Sequence, residues 1–235
     1  MANTIQTSIY AVQPMVGFWT PTVGTSNEPA ISAANMVQQV MTAPPFKWAW
    51  NRNFLTFTTT AGTQDYVASV TDFGYAETAT LQYPSNGKIV SLQTLNSKPL
   101  GESIDQQQPN TISVQLNTVG TSVKFRLLGV PEKAYTVIVW YQKFVPLMAS
   151  LATAWTAPDY MSYVYNRGFL AFLLEARGDV RAQQEKISFA AALLSTAEGL
   201  TESEINIFLA QYLPNPRANE LLQLKTQQGV VSRGV

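Results

Sequence analysis

Three consecutive stretches decide the fold: YTVIVWYQKF (135–144), VPLMASLATAWTAPD (145–159) and YMSYVYNRGFLAFLLE (160–175). The first is dense in β-branched and aromatic residues and reads as the last strand of a β unit. The third places Met161, Val164, Tyr165, Gly168, Phe169 and Phe172 at helical spacing, so one broad stripe faces a core. Pro158 and Asp159 suit a first helical turn, with Thr156 as its cap. Residues 145–159 are then a connector from a β layer to a helical layer.

Upstream of this seam the hydrophobic period is two. Leu55 and Phe57 alternate with Thr56 and Thr58, and Tyr75, Ala79, Leu81 and Tyr83 mark a further strand. Ser85-Asn86-Gly87 is a hairpin turn signal. Ile112, Val114 and Leu116 alternate with Ser113, Gln115 and Asn117. After a turn, Val123, Phe125 and Leu127 alternate with Lys124 and Arg126. This pattern predicts a hairpin with one face buried and one solvated. PFKWAWNRN (45–53) opens the region. Its Trp48 and Trp50, beside Lys47 and Arg52, fit either a base-stacking platform or the start of a strand packed on the β core, and the neutral net charge favours the strand.

Further out the period is helical. Ala33, Met36, Val37, Val40 and Met41 predict a helix over 30–41, capped by Ser26 or Asn27 and ended by Pro44-Pro45. Beyond Gly178-Asp179, Val180, Ile187, Ala191 and Leu194 share the buried face of a second C-terminal helix. The run Thr201-Glu-Ser-Glu204 is a capping box for a third, carrying Ile205, Phe208, Leu209 and Tyr212. Residues 1–25, punctuated by Thr, Pro and Gly, predict an arm whose Phe18 and Trp19 anchor it to its own core or to a partner. Residues 214–235 predict either a free tail or one that orders on a partner, with Arg217, Leu221, Leu222 and Leu224 as its contact candidates. The expected class is α+β. One N-terminal and about three C-terminal helices (26–45 and 146–213) form a bundle into which an antiparallel β-sandwich or barrel (46–145) is inserted.

Composition narrows the function. Charged residues make up 13% of the chain, about half the usual ~25%, so much of the surface is neutral polar or apolar and suits contact with partners. Lys plus Arg and Asp plus Glu are both 15, so no global field gathers nucleic acid or anionic membrane. Without a single Cys or His, thiolate chemistry, Ser/His/Asp triads and the commonest metal ligand are excluded. Neither a nucleotide-binding glycine motif nor a carboxylate metal spacing occurs. Asp65, Asp72 and Glu77 share one β stretch and read as solvated acids, so an enzyme is the least favoured class. No cofactor and no membrane partner are expected. Residues 1–10 lack the features of a signal peptide, and the apolar runs fall short of the ~20 residues that span a bilayer, which predicts a soluble protein made in a cytosol. Arg167, Arg177 and Arg181 gather around Gly178 as surface ion pairs or as the charged side of a subunit contact.

The arrangement over residues 26–213 resembles the head-to-tail adaptor (connector) proteins of tailed bacteriophages. FTTTAGTQDY (57–66), GVPEKAYTVIVWYQKFVPL (129–147) and WTAPDYMSYVYNRGFLAFLLEARGD (155–179) look like segments of phage virion structural proteins. The resemblance implies a homo-oligomeric ring, dodecameric to match a portal, seated in the virion neck or tail region. The ring would bind portal protein on one side and a tail or nozzle protein on the other, and would pass double-stranded DNA without reading it. The partner-interface candidates are Phe18, Trp19, Trp48, Trp50, Arg52, Arg167, Arg177, Arg181, Arg217, Leu221, Leu222 and Leu224. Two alternatives stand beside it: another virion part (tail tube, nozzle or capsid decoration), or a carbohydrate-binding β module stacking sugars on Trp48, Trp50 and Trp140.

Overall fold

The computed structural model describes residues 3–16, 22–23, 27–96, 106–118 and 121–213, with the backbone alone at 22–23 and 116–118. The chain is mixed α+β and divides into two compact units. One is built from Met1–Phe46 and Pro146–Val235, the other from Lys47–Val145. Among the described residues no helix is long and apolar enough to cross a membrane.

The first unit holds α1 (Ile5–Val16), a two-residue strand pair β1 (Thr22–Val23) and β2 (Glu28–Pro29), α2 (Ala30–Thr42), α3 (Ser162–Arg177), α4 (Ala182–Thr196) and α5 (Glu202–Tyr212). Its centre is α3, which packs against α1, α2 and α4. The predicted stripe is buried, and so are Leu170, Ala171, Leu173 and Leu174. A helix apolar on nearly every side is an interior helix. Trp155 stacks on Tyr165 with ring centroids 4.6 Å apart. Gly168 lets α4 come close, because a Cβ there would lie 2.8 Å from the Phe189 ring. The end of α3 is a Schellman motif. Gly178, with φ +72°, donates to the Glu175 carbonyl and Asp179 to the Leu174 carbonyl, both at 2.9 Å.

Five expectations change in this unit. Thr156 caps no helix: the 3-10 turn Asp159–Met161 that leads into α3 begins at Pro158, and neither it nor α3 has a side-chain cap. Residues 5–16 of the supposed arm are the helix α1, burying Ile5, Ser8, Ile9, Val12 and Val16. Phe18 and Trp19 lie outside the described residues. On α2 the buried face is Ala30, Ala33, Ala34, Val37, Gln38 and Met41, and Met36 is 49% exposed. The face is rotated because the polar Gln38 is turned inward to serve as a ligand for the backbone. The N-cap residue of α2 is Pro29, which has no side-chain acceptor; the Glu28 carboxylate accepts the Ser32 N–H at 3.0 Å in its place, and the candidate cap Ser26 lies outside the described residues. Finally, Val180 precedes α4 and is 93% exposed, while Ile187 and Leu194 are buried as expected. The α5 capping box is present as read: Glu204 N–H donates to Thr201 Oγ1 at 3.2 Å, and Thr201 N–H to Glu204 Oε2 at 2.9 Å.

The connector after residue 145 has no regular structure, so its peptide groups need other partners. Gln38 Nε2 donates to the Pro146 carbonyl at 2.7 Å. Asn35 clasps Met148 from both sides, donating to its carbonyl at 3.1 Å and accepting its N–H at 2.7 Å. The start of the chain takes three more, and Ser150 and Thr153 bond each other. Ile5 and Gln6 N–H donate to the Thr153 and Leu151 carbonyls, Trp155 N–H donates to the Asn3 carbonyl, and the buried Trp155 Nε1 donates to Ser8 Oγ at 2.9 Å.

The second unit is a seven-stranded, nearly closed, barrel-like sheet in the order β3-β9-β5-β6-β7-β8-β4. Its strands are β3 (Arg52–Thr58), β4 (Asp65–Ala68), β5 (Phe73–Gln82), β6 (Ile89–Asn96), β7 (Thr111–Thr118), β8 (Ser122–Leu128) and β9 (Thr136–Lys143). Leu55, Phe73, Leu81, Ile112, Phe125, Tyr135, Val137 and Tyr141 fill its core. The predicted β7–β8 hairpin is there, pairing Ile112 with Leu127 and Val114 with Phe125. The sheet is not wholly antiparallel, however. β6 and β7 run parallel, a pairing that a tight turn cannot make. Ser113 is also buried, so the inner stretch of β7 is covered on both faces. Trp48 and Trp50 do not begin a strand; Ala49–Asn51 is a 3-10 turn leading into β3.

Two measurements test this packing. Gly168→Ala gains ~1 kcal/mol of helix propensity but overpacks the Phe189 contact, which costs ~1–3 kcal/mol, so a net loss of up to about 2 kcal/mol is expected in urea unfolding. In the β unit Arg126 holds Asp65 bidentately at 2.6 and 2.7 Å, and Lys124 adds a contact at 3.1 Å. Hydrogen bonding to Arg126 keeps the Asp65 carboxyl down at about 2, against the opposing pull of burial. A depressed acid stabilises the fold above its ordinary value, near ~4, and loses that contribution as pH falls through its folded value. The unfolding midpoint of Asp65→Asn therefore lies below that of the parent at neutral pH, and the gap closes as pH falls from about 4 to about 2.

Candidate functional site

The arginines around Gly178 divide into two sets. Arg167, on α3, pairs with Glu185 of α4 at 2.8 Å and lies 5.5 Å from the Tyr163 ring centroid. Arg177 and Arg181 converge instead on the end of α1: Arg177 Nη1 donates to the Val16 carbonyl at 2.9 Å and Arg181 Nη1 to the Met15 carbonyl at 3.1 Å. The last carbonyls of a helix have no intrahelical donors and carry its negative dipole end, so two guanidinium groups satisfy them in charge and in hydrogen bonding. Asp179 orients the second group. Its carboxylate takes Arg181 Nε at 3.0 Å and Nη2 at 2.8 Å, and these bonds hold the Asp179 carboxyl well below the usual range. These are contacts within the subunit.

In the β unit, Arg52 is tied to Glu77, whose side chain is only 3% exposed, at 2.6 Å. Glu77 also accepts Gln142 Nε2 at 2.6 Å. The Gln142 side chain, wholly buried, reads both main-chain groups of Trp48, at 3.2 Å to N–H and 3.1 Å to the carbonyl. Trp48 is thereby buried and Trp50 is half-buried, with their rings stacked 6.1 Å apart. Trp48 offers no open face to a base or a sugar. The third tryptophan of the proposed sugar platform, Trp140, packs against Phe54 of β3 at 5.1 Å, and Phe54 is 54% exposed. Asp72 is likewise committed, accepting the Tyr141 hydroxyl at 2.6 Å. Among the described residues no group of three or more acids could hold a metal ion.

Several large apolar side chains are nevertheless exposed. Tyr160 is 76% exposed, Tyr163 62% and Leu147 62%; Tyr163 is in the first turn of α3 and Tyr160 in the 3-10 turn Asp159–Met161 just before it. They were absent from the sequence-based candidates, although the signal was there. The buried stripe through Met161, Val164, Tyr165 and Gly168 leaves positions 160 and 163 on the outer side of the helix. Arg217, Leu221, Leu222 and Leu224 lie outside the described residues, as do Phe18 and Trp19. Chemically, the described acids and arginines named above are occupied in structural bonds.

If the two guanidinium groups hold α1 in place, Arg177→Ala with Arg181→Ala speeds hydrogen exchange at the Val12, Gln13, Met15 and Val16 amides and leaves those of α3 unchanged. Uniform acceleration across α3 and α4 would contradict that local role. Compared with known protein families and with curated proteins, the chain matches none.

Proposed function

We propose that this chain is a structural virion protein of a tailed phage, a head-to-tail adaptor that assembles as a ring between portal and tail. In this reading the protein is not an enzyme, is made in the host cytoplasm, and ends in the neck or tail region of the virion. The helices form a bundle with an inserted β-sandwich or barrel. The ring, dodecameric to match the portal, passes double-stranded DNA through its lumen, where sparse basic charge suits passage because phosphate contacts retard it.

The observation that carries this reading is the number of exposed large apolar residues on the helical unit, among them Val180, Tyr160, Tyr10, Tyr163 and Leu147, in a chain with only 13% charged residues. Aromatic residues are enriched where subunits meet, and an apolar patch left in water favours association. The three stretches that resemble phage virion proteins, ending in the connector and α3, add the assignment of class.

Native mass spectrometry and negative-stain microscopy of the purified protein, alone and with portal protein, test it. Rings, or caps bound to portal, are expected. Tyr160→Ser with Tyr163→Ser should shift rings towards single subunits without unfolding them, because both side chains already face water. A lasting monomer that never binds portal overturns the proposal.

A further inference from the structure

Asn86 and Gly87 are the only Asn-Gly pair in the chain. They sit exposed at the tip of the hairpin that joins β5 to β6. Gly87 has φ +68°, the left-handed region, and carries no Cβ to shield its nitrogen. Asn86 Oδ1 accepts the Lys88 N–H at 3.0 Å. That bond closes an Asx turn, a ring of side-chain and main-chain atoms that contains the Gly87 nitrogen. The Asn86 amide carbon is therefore folded back towards the peptide nitrogen that follows it. The Lys88 N–H also draws electron density from the same carbonyl, which makes that carbon a better electrophile.

We propose that Asn86 is a site of spontaneous covalent modification, converted through a cyclic imide to aspartate and isoaspartate. The Gly87 amide gives its proton to solvent base, and its nitrogen bonds to Asn86 Cγ. The Cγ–Nδ2 bond then breaks, and Nδ2 takes up a proton and leaves as ammonia. Water adds to one of the two imide carbonyls and breaks a C–N bond there. The net exchange is water in and ammonia out, with no change of oxidation state. Two main-chain bonds restrain the turn: Gly87 N–H donates to the Tyr83 carbonyl at 3.1 Å and Tyr83 N–H to the Lys88 carbonyl at 2.9 Å. At an exposed hairpin tip such bonds open locally far more often than the core does, and each opening frees the nucleophile. The products differ in consequence. Aspartate keeps the acceptor for Lys88 and adds a negative charge. Isoaspartate puts an extra carbon into the main chain beside the Gln82–Ile89 pair, where it disturbs the end of the β5–β6 register.

The test is to hold the full-length protein in mildly alkaline buffer made with oxygen-18 water and to map its peptides by mass spectrometry. The peptide containing Asn86 is expected to take up label before any other asparagine peptide, and to split into two forms, one recognised as isoaspartyl. In mildly acidic buffer the uptake slows, because attack needs the deprotonated amide. Gly87→Ala should lose the label over the same period. Asn86→Gln, which keeps the glycine but lengthens the side chain so that attack would need a larger ring, should lose it too. Circular dichroism checks that both variants remain folded. An Asn86 peptide that stays intact while another asparagine is labelled, or uptake in Gly87→Ala equal to the parent, overturns the assignment.

Discussion

The helical unit depends on satisfying the backbone of residues 146–159, a stretch with polar peptide groups and almost no regular structure. An unpaired peptide group away from water costs about as much as a lost hydrogen bond. Two amide side chains on α2 and the first residues of the chain supply the missing partners. Asn35 binds both main-chain groups of Met148, and Gln38, only 5% exposed, reaches the Pro146 carbonyl. Trp155 then has a fixed place, with its indole N–H on Ser8 and its ring on Tyr165. From that point the chain enters α3, around which α1, α2 and α4 assemble. The inward rotation of α2 follows from this requirement, since an amide is needed at the position a purely apolar stripe would fill.

Charge serves the same end. Arg177 and Arg181 complete the last turn of α1, Arg167 and Glu185 join α3 to α4, and Glu175 bonds Lys186 across the same helix pair. In the β unit Arg52 and Glu77 support Gln142, which fixes the Trp48 backbone. With few charges available, those described here act mainly as braces, and the exposed large side chains include tyrosine, tryptophan and aliphatic groups. Such a surface gains from association chiefly by removing apolar area from water, which is non-directional and insensitive to salt.

Legibility in the sequence was uneven for identifiable reasons. The β7–β8 hairpin and the α5 capping box were readable because each is fixed by residues close in the chain. α1 was missed although Ile5, Ile9, Val12 and Val16 recur at helical spacing, because Pro14 and the absence of charged residues gave the stretch the look of an arm. Tyr160 and Tyr163 were readable by elimination, as positions off a buried stripe. The arginine cluster was placed near Gly178 correctly for Arg177 and Arg181, but its carbonyl acceptors on Met15 and Val16 could not be read from local sequence.

By itself the sequence determined the mixed α+β class, the elements around the seam at 135–175, and the buried stripe of α3. Periodicity, capping and turn chemistry are local, and they act before distant segments meet. Tertiary structure alone decided that β6 and β7 run parallel, that Gln38 rather than Met36 faces inward, and that two arginines close α1. Each of these depends on a partner group supplied by a distant part of the chain. A side chain's own spacing cannot specify which far carbonyl, carboxylate or strand will be within reach once the core has closed.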